Sequence, residues 1–276
     1  MPADQYLPLA TALLQQIRLA RPTGGIWEAA DLQWWARQER STDSGQLFWL
    51  DQAGAPVAAA ILTDWGEVLA GDVHVLPDDP DLERQVWRAA ITRAETVGGA
   101  LEFSARADHR IGIAELTAAG YRVTHERGVV ATWLDAADRP VVPPLPAGYR
   151  LRSRAQTEHQ PHPMIERNGP QVAQRLRQCS LYRPELDLMI ESAAGKVAGY
   201  GLFWADPVTS VGLVEPMRTQ DEHQRRGIAS HLLAAGLELL ADQGCRRLKV
   251  SNDINLYLRA GFEPLPAATS ATYAKS

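Results

Sequence analysis

The stretch VEPMRTQDEHQRRGIASHLL, residues 214–233, decides how this chain folds. Apolar residues leading into it make 210–217 a strand. A polar loop follows, and Gly227 then opens a long helix with an apolar stripe. On a 3.6-residue period Ile228, Leu232 and Leu239 share one face with Leu233 and Leu240 beside them, predicting a helix over 225–243 that stops at Gly244. The first amides of a helix have no intrahelical acceptor, and the dipole there favours an anion. Within Gln224-Arg225-Arg226-Gly227-Ile228-Ala229, the small residues at 227 and 229 would let a phosphate reach the main chain, and Arg225 or Arg226 would add charge. Each charge-assisted contact is worth about 1.5–3 kcal/mol, so several together can anchor a pyrophosphate. Arginines in a first helical turn otherwise oppose the dipole, which itself points to an anion.

The same reading extends outward. Strand-like alternation covers 149–154, a helix is possible over 169–178, and 186–192 with 196–205 reads as a hairpin around Gly195. After the long helix, RLKVS (247–251) is a short buried strand, and the C-terminal residues from AGF to TYAK suggest two closing strands. The first half repeats this order: a hairpin over 48–65, strand 68–76, helix 80–96, strand 101–104, helix 112–119, then strands 121–126 and 128–134. Gly54 and Gly195 are separated by 141 positions, as are Gly120 in TAAGY and Gly261 in LRAGF. Two anchors with one offset and one element order argue for an internal duplication. The segment 135–147, DAADRPVVPPLPA, carries Pro140, Pro143, Pro144 and Pro146 and can hold neither a helix nor an interior strand. The expected organisation is therefore a mixed α/β chain of two tandem domains, 1–134 and 148–276, joined by a linker at 135–147.

Composition bounds the function. The chain has 276 residues and a formal charge of −5, so it is not an electrostatic binder of nucleic acid or membrane surfaces. Charge is uneven: residues 1–140 hold 12 Arg, no Lys and 20 acidic residues, while 141–276 hold 16 basic and 13 acidic ones. Such a shift fits composition drift between domains or a second half that handles an anion. Cys179 and Cys245 lie far apart with no ligand pattern, and no apolar run approaches a membrane span, so a cytoplasmic protein is expected. The first twenty residues read as an amphipathic helix rather than a signal peptide. Among histidines, His223 beside the glycine motif, His231 within the helix and His74 on a strand show no metal-ligand spacing, so no metal site is expected.

With strand, loop, glycine motif and helix in this order, the sequence resembles the GCN5-related N-acetyltransferase (GNAT) superfamily. QRRGIA fits every fixed position of that family's Q/R-x-x-G-x-G/A motif, and LYLRAGF (256–262) follows in the right place. The resemblance covers about 148–276. The first half matches in layout only, as a degenerate GNAT-like domain, giving a tandem arrangement also seen in mycothiol synthase. The resemblance implies acetyl-CoA as co-substrate, with Gln224, Arg225, Arg226, Gly227, Ile228 and Ala229 binding its pyrophosphate. It also implies that Met217, Arg218 and Thr219 pair with the pantetheine arm, and that the Met217 amide polarises the thioester carbonyl. Pro216 cannot donate a ladder hydrogen bond, so the strand either ends there or carries the splay that admits the arm. Glu215 is the candidate general base, its partial burial expected to raise its pKa, and Tyr257 matches the family tyrosine that protonates the leaving thiolate. Each has a plainer reading, as a solvated strand carboxylate and as a packing aromatic.

The chain also departs from the pattern. From Ser251 to Gly261 there are ten steps, against sixteen from Ser104 to Gly120, so about two helical turns are missing beside Tyr257. Asn252 is taken as the family asparagine, with Asn255 in competition. In the first half the offset places Val86, Arg88 and Leu116 where Gly227, Ala229 and Tyr257 stand, and Asp81 and Glu83 would repel a phosphate. That half is expected not to bind CoA. Its Trp27, Trp34, Trp35, Trp49 and Trp65 read chiefly as core, with a cleft-lining role as the alternative. The expected function is N-acetylation of a small-molecule amine. The alternatives are a non-catalytic acyl-CoA-binding module and a mycothiol synthase-like enzyme.

Overall fold

The computed structural model describes residues 3–35 and 45–275. In chain order the first elements are α1 (Ala3–Ala20), α2 (Ala29–Trp35), β1 (Leu47–Leu50), β2 (Pro56–Asp64), β3 (Leu69–Val75) and α3 (Pro80–Val97). Next come β4 (Leu101–Arg106), α4 (Arg110–Ala118), β5 (Arg122–His125), β6 (Val130–Asp135), β7 (Tyr149–Ser153), α5 (Ile165–Asn168) and α6 (Val172–Arg177). The last are β8 (Asp187–Ser192), β9 (Val197–Asp206), β10 (Val211–Thr219), α7 (Ile228–Asp242), β11 (Arg247–Val250), α8 (Asn255–Arg259) and β12 (Glu263–Ala274). The duplication anchors behave alike: Gly54, Gly195, Gly120 and Gly261 all have positive φ, a conformation only glycine adopts without strain.

The chain forms two compact units: unit 1 is Met1–Leu32, Glu39–Val130 and Pro266–Ser276, and unit 2 is Gln33–Gln38 and Ala131–Leu265. In unit 1 the strand order is β1-β2-β3-β4-β12, with β5 also on β12. β3 and β4 are parallel, and the other neighbours are antiparallel. Period-2 alternation puts Ala58, Ala60, Leu62 and Phe103 on one face, where Val86, Trp87, Ala90 and Ile91 of α3 cover them. Unit 2 is ordered β6-β11-β10-β9-β8-β7, with β10 and β11 parallel and its other neighbours antiparallel. Leu232, Leu233, Leu237 and Leu240 of α7 pack on Phe203, Val214, Leu248 and Val250. Burying each such side chain stabilises the unit by about 1.5–3 kcal/mol. On the other face of β11, Lys249 is fully buried with its ammonium 5.6 Å from the Trp133 ring centre.

The strand assignments hold with one correction. The C-terminal residues form the single long strand β12 rather than two closing strands. The compact units also cross the division expected at 135–147. β6 precedes the proline-rich segment but pairs with β11 of unit 2, Thr132 standing opposite Val250. The end of β12 pairs with β4 of unit 1, Ser270 standing opposite Arg106. Thus a strand from each half of the duplication completes the unit built mainly from the other half.

This exchange makes a concrete prediction. Val141 is 91% exposed, so a site-specific protease sequence placed around it is cleavable in the folded protein. The pieces on either side of the cut are expected to co-elute under native conditions and separate in denaturant. Separation of the nicked pieces without denaturant contradicts the exchange.

Candidate active site

The ladder between β10 and β11 runs from Val211–Arg247 to Leu213–Lys249 and stops, while β10 continues to Thr219. At that point β10 also bulges against β9. Val214 faces Phe203 and Met217 faces Gly201, so β10 spends one residue more than its partner. One extra residue reverses the alternation. Gly212 and Val214 lie toward α7, and beyond the bulge it is Met217, not Pro216, that packs on the same core. The Glu215–Pro216 peptide is cis, and the Trp204 indole Nε1 donates to the Glu215 carbonyl at 2.7 Å. Of the two readings of Pro216, the bulged strand is the one observed.

Two buried hydroxyls at this opening have no hydrogen-bond partner: Thr219 Oγ1 near the end of β10 and Ser251 Oγ just past β11. A buried hydroxyl left unpaired costs about 1–3 kcal/mol, so the pair marks a place where a polar ligand would recover free energy. Arg218 Nε donates to Gln220 Oε1 at 3.3 Å, and the guanidinium lies 3.8 Å from Asp221 Oδ1.

The loop then leads, through two left-handed residues, into α7. Arg225 has φ 59° and Gly227 has φ 80°, and left-handed residues interleaved in this way turn successive amides toward one concave point. α7 begins at Ile228 with no side-chain cap on its first amides. A Cβ added at Gly227 would meet nothing within 4 Å, so the space in front of the motif is open. Gln224 is tied back by Nε2 to Asp221 Oδ1 at 3.0 Å, and Arg225 and Arg226 are exposed. Arg226 donates to the Tyr149 hydroxyl at 3.4 Å, and that hydroxyl lies 2.9 Å from His223 Nδ1. Beside the helix start, a cavity of about 350 Å³ lies between α7 and α8, lined by Ser230, Leu233, Asn255, Leu256 and Arg259. Pro143 of the proline-rich segment also lines it, its carbonyl 2.7 Å from His231 Nδ1.

The short helix α8 carries Tyr257, which is buried in the unit 2 core with its ring 6.0 Å from that of Phe262. Burial pushes its phenol up to about 12, and the nearby Glu215 charge adds to the shift. Glu215 and Tyr257 are 42 positions apart in sequence and are brought within electrostatic reach across the parting of β10 and β11. Asn252 is engaged differently from the expectation. Its Oδ1 accepts from Ile254 N at 3.1 Å and its carbonyl accepts from Thr132 at 2.9 Å, so it shapes the turn into α8 while Asn255 lines the cavity. Sequence reasoning missed Ser251, Tyr149, His223 and Trp204. Tyr149, His223 and Trp204 act through partners distant in sequence, and only the orphaned Ser251 hydroxyl had a local hint, standing at the end of a strand. Among the described residues no group of three or more His, Cys, Asp or Glu could hold a metal ion.

Unit 1 differs at the strand bulge and at the helix start. The β2–β3 ladder runs without a bulge from Ala58–Val75 to Asp64–Leu69. α3 starts with Pro80, which has no amide, and the Asp79 carboxylate already accepts from Leu82 N at 2.9 Å. Asp81 and Glu83 in its first turn place negative charge at that terminus.

Residues 147–262 match the model of the acetyltransferase (GNAT) family. No curated protein matches the sequence. Among solved structures, a tandem GNAT protein from the clavulanic acid biosynthesis pathway is similar at TM-score 0.69 and 18% identity, covering 99% of this chain and 96% of that one. A GCN5-related N-acetyltransferase from Sphaerobacter thermophilus is similar at TM-score 0.62 and 17% identity, covering 99% and 92%. One from Kribbella flavida gives 0.57 and 17%, covering 90% and 93%.

The pairing of Glu215 with Tyr257 can be read directly. Glu215→Gln removes the smaller of the two causes that raise the Tyr257 phenol, so its pKa is expected to fall yet stay above the ordinary value of 10.0. Tyrosine ring carbon shifts followed through a pH titration check this, and an unchanged midpoint would separate the two residues. The glycine motif at the head of α7, the bulged and parted strand before it and the family match coincide: residues 147–262 match the acetyltransferase (GNAT) family, and the chain as a whole has the fold of a tandem GNAT protein.

Proposed function

We propose that the protein is an N-acetyltransferase that moves the acetyl group of acetyl-CoA to the amine of a small-molecule acceptor by direct attack in a ternary complex. One observation carries this reading: the uncapped start of α7, with left-handed Arg225 and Gly227, stands beside two strands that part and leave Thr219 and Ser251 hydroxyls unpaired. Acetyl-CoA would supply an acyl group already activated as a thioester. The amides of Gln224 to Ala229 would hold its pyrophosphate, and Met217, Arg218 and Thr219 would lie along its arm.

The protein's own groups then handle two protons. An ammonium has no lone pair, so Glu215 takes a proton from the acceptor before attack, and Tyr257 donates toward the sulfur as the carbon–sulfur bond breaks. With the phenol near 12 and a thiol near 8.5, full proton donation is uphill in the resting site. Protonation of Glu215 removes its charge from beside Tyr257, so the base step makes the acid step easier. A second reading, a module that binds acyl-CoA without turnover, is favoured by the length of α8, five residues against nine in α4.

Calorimetric titration with acetyl-CoA tests the first requirement. One site per chain is expected, lost in Gly227→Glu, which sets a carboxylate and a strained backbone at the anion site; thermal melting should show the variant still folded. Two sites per chain would mean that unit 1 also binds the nucleotide, and no binding defeats both readings. Given binding, Glu215→Gln should lower kcat by about 10²–10⁴-fold and abolish the acidic limb of the pH–rate profile. Binding without acetylation across a broad amine panel leaves the non-catalytic module.

A further inference from the structure

Unit 1 carries a cavity of about 410 Å³ with no part in the reading above. It opens where β3 and β4, paired only from Leu69–Leu101 to Gly71–Phe103, separate toward their C-terminal ends. Its volume falls within the range of small-molecule sites. Asp72 and His74, two apart on β3, point to the same face and both line it. Both are more than nine-tenths buried, and His74 Nε2 has no hydrogen-bond partner among the described residues.

The charges around the cavity are mostly settled among themselves. Arg106 grips Asp108 through two nitrogens at 3.0 and 2.9 Å and also reaches the Thr23 and Gly25 carbonyls. Glu83 pairs with His109. Asp72 is the exception. Its hydrogen bond comes from the neutral Trp27 indole, Nε1 to Oδ1 at 2.6 Å, and the nearby Asp31 is a like charge. The loop bearing Trp27 is held by the buried Arg18–Glu28 ion pair and by Arg18 on the Gly24 carbonyl at 2.7 Å. Arg21, which also lines the cavity, is exposed to solvent.

We infer that this cavity is a binding site for a small primary amine, its ammonium held between the Asp72 carboxylate and the His74 ring nitrogen and its apolar body lying against Trp27, Trp87 and Ile17. An ammonium has three donors and no acceptor, matching a carboxylate and an unpaired neutral imidazole nitrogen. Burial pushes Asp72 up to about 6 and His74 down to about 4, so near pH 7.5 the site presents a carboxylate and a neutral ring. The inference concerns unit 1 alone and needs no acyl-CoA.

The sign of the Asp72 shift supplies an independent test. A carboxyl raised in the folded state lowers stability as pH climbs from 3.8 through about 6, and the full penalty persists above that. Asp72→Asn keeps an oxygen for Trp27 and drops the charge, so at pH 7.5 its melting temperature should rise by several degrees. A residue kept against stability in this way is the pattern of a binding site. Thermal shift with phenethylamine, putrescine and cyclohexylamine to 10 mM, without acyl-CoA, should raise the wild-type midpoint for at least one amine. 2-Phenylethanol and phenylacetate should not. Asp72→Asn should weaken the amine at least tenfold, and His74→Leu should weaken it too, while calorimetric binding of acetyl-CoA stays as in wild type. No shift with any amine, an equal shift with the alcohol or carboxylate, an undiminished shift in Asp72→Asn, or a lowered melting point in that variant overturns the inference.

Discussion

Two parallel strands that pair over three residues and then separate leave backbone and side-chain polar groups facing a gap in the sheet. Buried polar groups are expensive to leave unpaired, so whatever fills the gap determines what the domain does. Both units have this opening, at β3–β4 and at β10–β11. In unit 2 the gap is bordered by a bulge, two orphaned hydroxyls and an uncapped helix start. In unit 1 the strand is straight, the helix start is capped by Asp79, and the gap holds Asp72 and His74. One architectural constraint has thus been met with two different chemistries.

The bulge at 214–217 has consequences beyond its own residues. By adding one residue it turns Met217 toward the α7 core and sets Glu215 where its charge reaches Tyr257. Trp204 holds the bulged carbonyl through an indole hydrogen bond. The charge of Glu215 thus adds to burial in raising the Tyr257 phenol, so the charge state of the carboxylate influences the acidity of the tyrosine. That coupling survives the shortening of α8, because Tyr257 is anchored by packing against Phe262 and the core rather than by helix length.

Much of this was legible locally. The apolar stripe from Ile228 to Leu240, the Gly195 hairpin and the Gly120/Gly261 pair each mark their elements through a period or a backbone conformation that few other residues satisfy. Gly227 stood out in the sequence because a small residue at the start of a helix leaves the main chain open, and in the structure it is left-handed. Arg225 in the same conformation was not legible, since arginine has no such preference. The contacts of Tyr149 were hidden for a different reason: its hydroxyl meets His223 and Arg226, which lie 74 and 77 positions away. Asn252 has a local role the sequence did not suggest, its Oδ1 accepting from Ile254 N in the turn into α8.

Most strands and helices, the repeated element order of the two halves and the glycine motif before α7 could be read from the sequence, because these depend on neighbours within a few residues. Tertiary structure alone decided that β6 pairs with β11 and the end of β12 with β4. The two strands come from equivalent places in the duplication, each offers a ladder of amides and carbonyls, and no local pattern distinguishes the partner in its own half from that in the other. It also decided that, among the described residues, Asp72 has an indole for its partner and His74 Nε2 has none. Burial and pairing are properties of what surrounds a side chain, and those surroundings come from α1, the 21–27 loop and β4, brought together only when the chain is folded.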